Sequence, residues 1–311
     1  MPNSHSIHRL GDAHKHKTWN RNQPSVLTIK SGEEVFISAP DASNGELTRN
    51  STKDDIALID YRKLDPLVGP ILVEDAKPGD ILKISVLELK THSWGWAALL
   101  PEFGLLSDEI TDPYYKVWEL DKGSIQLPNG STFKLQPMIG CIGVAPAVDG
   151  DFPTITPTNG AGNIDIRYLN AGSELYVPVL TDGALLSAAD GHALQGEGEI
   201  SGTAIECPMD MTLKVELIKN QKLDSPELIT RNTFPAEEGY RIFTGIGPDL
   251  MEASRDATRR AIGPLAKAQG ISELEAYGLF GIVAELRIHE IVDIPHWVVG
   301  CMLPLRLFGN K

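Results

Sequence analysis

The sequence predicts a mainly β protein: a β-sandwich or barrel-like part combined with a smaller α+β part that carries two C-terminal helices. Three observations predict it. With 29 Gly and 21 Pro among 311 residues, the chain is punctuated often and broken into short segments. Between the breaks lie short runs rich in β-branched residues, the spacing of an all-β sandwich or barrel. Helical periodicity, by contrast, is concentrated after Pro248.

Taken in order, the clearest strands are 26–29, 35–38, 81–89, 133–135, 175–178, 199–206 and 211–217. In 81–89 the polar Lys83, Ser85 and Glu88 interrupt an apolar run, and Lys83 to Ser85 follow period two, so one face is expected to be wet. Pro248-Asp249-Leu250 opens a helix to about Gln269, because Leu250, Ala253, Ala257, Ala261 and Leu265 recur every three or four residues. Gly263-Pro264 should weaken it. Ser272 and Glu275 form an S-x-x-E capping box for a second helix carrying Leu274, Tyr277, Leu279, Phe280 and Val283. A final strand, 285–292, follows. The polar connection 217–239 is the best boundary. It divides the chain into a polar N-terminal segment (1–23), a β-rich domain holding the expected site (24–217) and an α+β part that completes the fold (218–311).

Charge and composition exclude whole classes of function. Lys and Arg number 28 against 42 Asp and Glu, a net charge of −14, and no basic run is present. Such a surface repels phosphate backbones and anionic membranes, so neither nucleic acid nor membrane is expected as a partner. With 42% hydrophobic residues the chain buries a core and is not a disordered tail. The first 20 residues are polar and His-bearing, without the apolar centre of a secretory signal, and no run approaches the roughly 18 apolar residues of a membrane helix. A cytoplasmic location is expected. Cys141, Cys207 and Cys301 are odd in number and lack C-x-x-C spacing, so they read as buried small residues rather than disulfides or a zinc site.

Chemistry concentrates in 157–206. Pro157 to Asp165 and Asp190-Gly191-His192-Ala193-Leu194-Gln195-Gly196-Glu197-Gly198-Glu199 crowd glycines, acids, an imidazole and amides together. Glycines let backbone approach a ligand, and one imidazole with several carboxylates is a ligand mix for divalent ions. In an extended chain Asp190 and His192 share a face, as do Glu197 and Glu199. The plainer alternative is a hairpin turn at Asp190-Gly191 with bulges at Gly196 and Gly198 and the acids in solvent.

The string Gly183-Ala184-Leu185-Leu186-Ser187, Asp190-Gly191-His192-Ala193, Gln195-Gly196-Glu197-Gly198-Glu199 and Gly202-Thr203-Ala204-Ile205-Glu206 strongly resembles the acetamidase/formamidase family. Further blocks are similar to that family in the same order: Asp65-Pro66-Leu67-Val68-Gly69-Pro70, Val73-Glu74-Asp75-Ala76, Pro101 to Leu106, Gly140 to Pro146, Gly162-Asn163-Ile164-Asp165, and the helical region from Asp249 to Arg287. The likeness covers about residues 24–300. This chain departs from the usual pattern at Ala161 and Ala189, where the family usually has Gly, at Glu197, where it has Asp, and at Glu46, where it has Gln.

What the resemblance implies is hydrolysis of a short aliphatic amide to a carboxylate and ammonia on a largely β fold, in a homo-oligomer, dimer or higher. No G-x-S-x-G elbow or Ser-Ser-Lys arrangement stands out, and Cys141 sits in an apolar run where a thiolate is disfavoured. Metal-activated water is the better mechanism. Its expected ligands are Asp165, Asp190 and His192, holding a divalent ion, zinc first, with calcium or magnesium suiting an all-oxygen subset such as Asp165, Asp190 and Glu199. Glu199 is the expected general base; Asn163 and Gln195 are expected to hydrogen-bond the substrate amide or the oxyanion. Glu206 is expected behind the ligands or capping its strand, and Asp41 and Glu74 to complete the pocket. The alternatives are another small C–N bond, urea-like or in a cyclic amide, and a non-catalytic metal- or ligand-binding sandwich. His5, His8, His14 and His16 read as part of a flexible tail. Trp94, Trp96, Tyr114, Tyr115 and Trp118 read as core packing, or else as a lid or pocket wall. Arg255, Arg259 and Arg260 read as a solvated helix face.

Overall fold

Alternating apolar residues build two large sheets that face one another. The structure, a computed structural model, describes residues 7–127, 132–230 and 239–309. The first sheet has nine strands in the order His8–Leu10, Glu33–Ala39, Met209–Ile218, Ile81–Thr91, Glu174–Pro178, Glu227–Thr230, Tyr240–Gly247, Trp297–Pro304 and Glu285–Glu290. Met209–Ile218 buries every second residue over most of its length, and Ile81–Thr91 does so until its exposed end, so each shows one face to water. The second sheet runs Ala161–Asn163, Met138–Gly143, Leu186–His192, Glu206–Cys207, Trp94–Leu99 and Tyr114–Glu119, with Leu67–Val73 joining at Leu186–His192. Val35, Ile37, Leu82, Ile84, Leu213 and Val215 from the first sheet share one core with Ile139, Ile142, Leu186 and Ala188 from the second. The strands Met138–Gly143 and Leu186–His192 are buried at every residue, so any polar side chain on them is taken out of water.

The first helix, α1 (Leu250–Gln269), is capped by the Asp249 carboxylate, which accepts from Glu252 N at 2.8 Å, and ends at Gly270 in the left-handed region. It continues through Pro264, where a weakening was expected. Its Ala257, Ala261 and Leu265 pack with Phe243 and Leu303 of the first sheet and with Phe280 of α2 (Glu273–Val283). The Glu275 side chain of the expected capping box lies outside the described residues. Arg255 and Arg259 pair with Glu252 and Asp256 in solvent, whereas Arg260 donates to Thr244 O and ties α1 to the sheet. Among the described residues no helix is long and apolar enough to cross a membrane.

Three expectations are corrected. Residues 199–206 are not a strand: Gly198 and Gly202 take φ of +85° and +89°, and only Glu206–Cys207 is extended. The strand from Glu285 ends at Glu290 and is not the last; the apolar run Trp297–Pro304 follows it and lies inside the sheet. The flexible-tail reading fails from residue 7 onward. His8–Leu10 pairs in parallel with Glu33–Ala39, Lys15–His16 pairs with Leu67–Val73, and His16 Nε2 lies 2.8 Å from Ser187 Oγ. His5 lies outside the described residues. The first sheet takes four strands from 218–311 and the rest from earlier in the chain, so the ranges on either side of 217 share one hydrogen-bonded sheet.

Candidate active site

Buried acids from separate parts of the chain converge over Gly140. That glycine faces Asp190 across the Met138–Gly143 and Leu186–His192 pair. A Cβ there would meet the Asp190 carboxylate and stand 2.6 Å from Asp165 Oδ1 and 3.0 Å from His192 Cε1. Glycine therefore leaves a cradle in which the three side chains meet. Asp165, Asp190 and Glu199 all hold positive φ, at 42°, 57° and 47°, a region that side-chain-bearing residues seldom adopt.

The imidazole of His192 is oriented by a chain of forced choices. Gln195 Nε2 lies 2.7 Å from the carbonyl of Asp165, which only accepts, so the amide nitrogen must face it. Gln195 Oε1 then faces His192 Nδ1 at 2.7 Å and accepts its proton. The Nε2 edge is left pointing at Asp190 Oδ2 (3.2 Å) and Glu206 Oε2 (3.1 Å). Two carboxylates facing an imidazole lone pair require a cation between them, either a proton on Nε2 or a metal ion. Asp165 and Glu199 stand on the other edge, 3.7 and 3.9 Å from Nδ1, which Gln195 already occupies. Ligand atoms close enough to share an ion form two buried groups, Asp190–His192–Glu206 and Asp165–His192–Glu199. The first uses the free imidazole edge.

Burial dominates the electrostatics. It pushes Asp165 and Glu206 up to about 7, against the pull of His192, and it pushes Glu199 well above the usual carboxylate range. Asp190 goes the other way: burial raises it, but the charge of His192 and hydrogen bonds to His192 and Glu206 bring it below its ordinary value. Burial lowers His192, and Asp190 with Glu206 more than reverse this, holding it well above the usual histidine range. Both Asp165 oxygens are buried without a hydrogen-bond partner, and Glu206 Oε2 has only the His192 Nε2 edge, at 3.1 Å, and Asp190 beside it. A carboxylate in that condition is costly unless a cation sits against it.

These groups open into a cavity of about 270 Å³ lined by Asp190, His192, Glu199 and Glu206, with Asn163, Asp65 and Asp293 beside them. The structure thus brings together Asp165, Asp190, His192, Glu199, Glu206 and Asn163. Several expected roles change. Gln195 does not line the cavity; both ends of its amide are used behind His192. Asn163 donates Nδ2 to Asp293 Oδ2 at 2.8 Å, and its Oδ1 has no partner, so the atom left for a ligand is an acceptor rather than an oxyanion donor. Glu206 Oε2 sits beside the imidazole rather than behind the ligands, while its Oε1 accepts from Ala204 N at 2.8 Å at the start of its own strand, as the capping alternative expects. Asp41 lies behind the wall, accepting from Trp96 Nε1 at 3.1 Å. Glu74 is exposed in the turn after Leu67–Val73 and is not part of the cavity. Glu197 is also outside it, held by His289 and Arg287.

Sequence reasoning missed Asp65, Asp293 and Glu290. Asp65 opens a block already noted for its resemblance, and burial together with Asp190, Glu206 and Asp165 raises its pKa well above the carboxylate range. Glu290 Oε1 accepts from Asp293 N at 2.6 Å and from Val292 N, which bends the chain after Glu285–Glu290 and presents Asp293. No residue pattern marks that turn. Of the aromatic run, Trp96 is a cavity wall, while Tyr115 reaches Thr48 O and Tyr114 is exposed. The three cysteines are free and buried, none of them lines the cavity, and burial raises the Cys141 thiol well above its usual value, which disfavours a thiolate.

Comparison with known proteins identifies the family. The Acetamidase/Formamidase family matches residues 4–150 and 150–310. A formamidase from Methylophilus methylotrophus is 26% identical over 96% of this chain and 90% of its own length. The crystal structure of a predicted acetamidase/formamidase from Thermoanaerobacter tengcongensis superposes with a TM-score of 0.89 at 28% identity, covering 99% of this chain and 100% of that one. A gamma lactamase from Delftia acidovorans superposes with a TM-score of 0.68 at 25% identity, covering 96% of this chain and 90% of that one. With the family match spanning nearly the whole sequence, and the motifs that carry it converging on one buried cavity, this chain belongs to the acetamidase/formamidase family.

Proposed function

We propose that this chain hydrolyses the C–N bond of a small linear amide to a carboxylate and ammonia, with a divalent metal ion, zinc first, held by Asp190, His192 and Glu206. The observation that carries the reading is the free His192 Nε2 edge aimed between two carboxylates at 3.2 and 3.1 Å. The residues fit such an ion: Glu206 Oε2 is buried with only the imidazole edge and Asp190 beside it, and Gly140 leaves open the space that a Cβ would fill against the Asp190 carboxylate. One nitrogen with carboxylate oxygens suits zinc. When bound, the ion supplies Lewis acidity that acidifies water and polarises a carbonyl.

The chain's own groups do the rest. Glu199, on the cavity wall, takes the proton of the attacking water; as the C–N bond breaks it returns that proton to the leaving nitrogen, which departs as ammonia. Asn163 Oδ1 accepts from an amide N–H of the substrate. Gln195 keeps His192 in the tautomer that leaves Nε2 free for the ion. A cytoplasmic homo-oligomer is the setting of this proposal, and sedimentation gives the number of subunits.

The test is ammonia release from formamide, acetamide and propionamide by purified protein as isolated, after chelation, and after return of zinc, calcium or magnesium. Turnover lost on chelation and regained with one ion is expected. Turnover unchanged in protein shown to be metal-free removes the metal role. The likeness to the gamma lactamase favours a second reading, in which the same carbonyl chemistry opens a cyclic amide. Ring-opened product without ammonia distinguishes it.

A further inference from the structure

The catalytic cavity is larger than an acetyl group needs. Its volume is about 270 Å³; a cavity of roughly 150 Å³ accepts benzene, and a water takes about 30 Å³. Formamide or acetamide would leave much of that space to water. The surface facing that water is apolar: Tyr61, Leu64, Trp96, Leu100, Phe103 and Ile155 line the cavity. These residues reach it mostly from the connections around 61–65, 100–103 and 155, whereas Asp190, His192 and Glu206 come from the buried strands. Polar chemistry and apolar volume thus have separate origins in the chain, as in sites where a few polar groups fix a reacting centre and apolar walls select the remainder.

The apolar wall does not end at the cavity. Phe103 also lines an outer groove with Leu99, Leu105, Leu106, Ile110 and Ile200, about 450 Å³ in volume. Leu105 N donates to Ile200 O at 2.9 Å, which ties the two loops that form it. Ile200 directly follows Glu199, so the residue assigned to proton transfer and the wall of the groove move as one piece of backbone. The charge is equally selective. Asp65, Glu102, Asp190, Glu199, Glu206 and Asp293 line the cavity, and no Lys or Arg does among the described residues. A substrate carrying its own carboxylate finds no cationic side chain on the apolar wall to offset its loss of water.

We infer that the preferred substrate is a primary amide whose acyl group is apolar, uncharged and as large as a phenyl ring or a six-carbon chain, an inference that rests on the amide-hydrolase reading of this same cavity. A ring fills the cavity; a longer chain passes Phe103 into the groove. Binding of this distal part acts on ground state and transition state alike, so the gain appears mainly in KM.

The experiment is ammonia release with kcat and KM measured for acetamide, butyramide, hexanamide, phenylacetamide and the half-amide of butanedioic acid. The expected result is a rise in kcat/KM of about tenfold or more from acetamide to both hexanamide and phenylacetamide. The half-amide should be about tenfold or more worse than butyramide. In the Ala42→Phe protein, which enlarges a residue of the cavity lining, the phenylacetamide-to-acetamide ratio should fall toward one. Acetamide turnover with a flat or falling series, or a half-amide as good as butyramide, overturns this inference and leaves the amidase reading standing. No ammonia from any of the amides overturns both.

Discussion

At the scale of single residues, the difference between touching substrate and holding another residue in place is decided by where each donor and acceptor is already spent. Gln195 illustrates it. Its position beside Asp190-Gly191-His192 made it legible as part of the site, but its role was not, because a sequence does not say which atoms an amide has already used. Both ends of the amide hold the Asp165 carbonyl and the His192 ring, at 2.7 Å each. Replacing it with Leu removes the acceptor from Nδ1 and frees the ring to present either nitrogen. Zinc affinity or kcat/KM should therefore fall about 10- to 100-fold, the usual cost of losing a partner behind a metal-bound histidine. Zinc titration alongside the ammonia assay measures it, and unchanged affinity with unchanged rate would count against the tautomer argument. Asp190 and His192 were legible for a different reason: alternation in an extended chain puts them on one face, and although Asp190 takes φ of +57° the two side chains still meet at 3.2 Å. Glu74 was misplaced because a block that resembles a family says nothing of where its side chain points, and this one points to solvent.

At the scale of elements, the segments that sequence located well carry their own local signals. α1 has a capping Asp249, a first-turn Glu252, apolar residues every third or fourth position and a terminal Gly270. Asp249→Ala removes the acceptor for Glu252 N and leaves an unsatisfied donor at an exposed helix end. A loss of about 1 kcal/mol is expected from urea unfolding, with activity in native buffer retained, because α1 lies outside the cavity. A loss below about 0.3 kcal/mol would mean that packing of Ala257, Ala261 and Leu265 alone fixes the helix. Trp297–Pro304 was missed for the opposite reason: its residues are nearly all buried, so no alternation shows, and such a run looks the same in a strand or a buried helix. The 199–206 stretch was misread because Glu197 and Glu199 alternate like a strand, while Gly198 and Gly202 supply the positive φ that turns the chain and carries Glu199 into the site. A turn of that kind is set by the loop packed against it, through Leu105 N on Ile200 O, a contact remote in sequence.

At the scale of the whole molecule, the site exists only because the C-terminal strands return to the rest of the fold. Gly198 N donates to His289 O at 3.0 Å, which brings the Glu290–Asp293 turn against Asn163 and Asp165. The result is a concentration of buried acids in a chain already at −14. Their protons set the pH dependence of stability. Burial holds Asp165 and Glu206 near 7 and Glu290 near 8, and holds Asp65, Glu199 and Asp293 well above the carboxylate range. In the unfolded chain all of them titrate near 4. Between about pH 4.5 and 8 the folded protein therefore binds more protons than the unfolded one, so its stability falls as pH rises through that window. His192, raised by Asp190 and Glu206, acts in the same direction, since the stability its proton contributes is lost above its folded value. Asp190 acts oppositely, but below pH 4. A divalent ion held as proposed would take the place of these protons and bind more tightly as the carboxyls ionise. Metal-free protein should thus show its highest Tm near pH 5 to 6 and lose stability steadily to pH 8. The zinc-loaded protein should hold its Tm across the same range, so the gap between the two widens with pH. The repulsion of a −14 surface grows in both samples alike, and the gap isolates the site from it. Calorimetry at four pH values, with chelator and with zinc, decides it. A metal-free Tm that rises from pH 5 to 8, or a zinc effect independent of pH, would show that these buried acids do not hold protons in the folded chain.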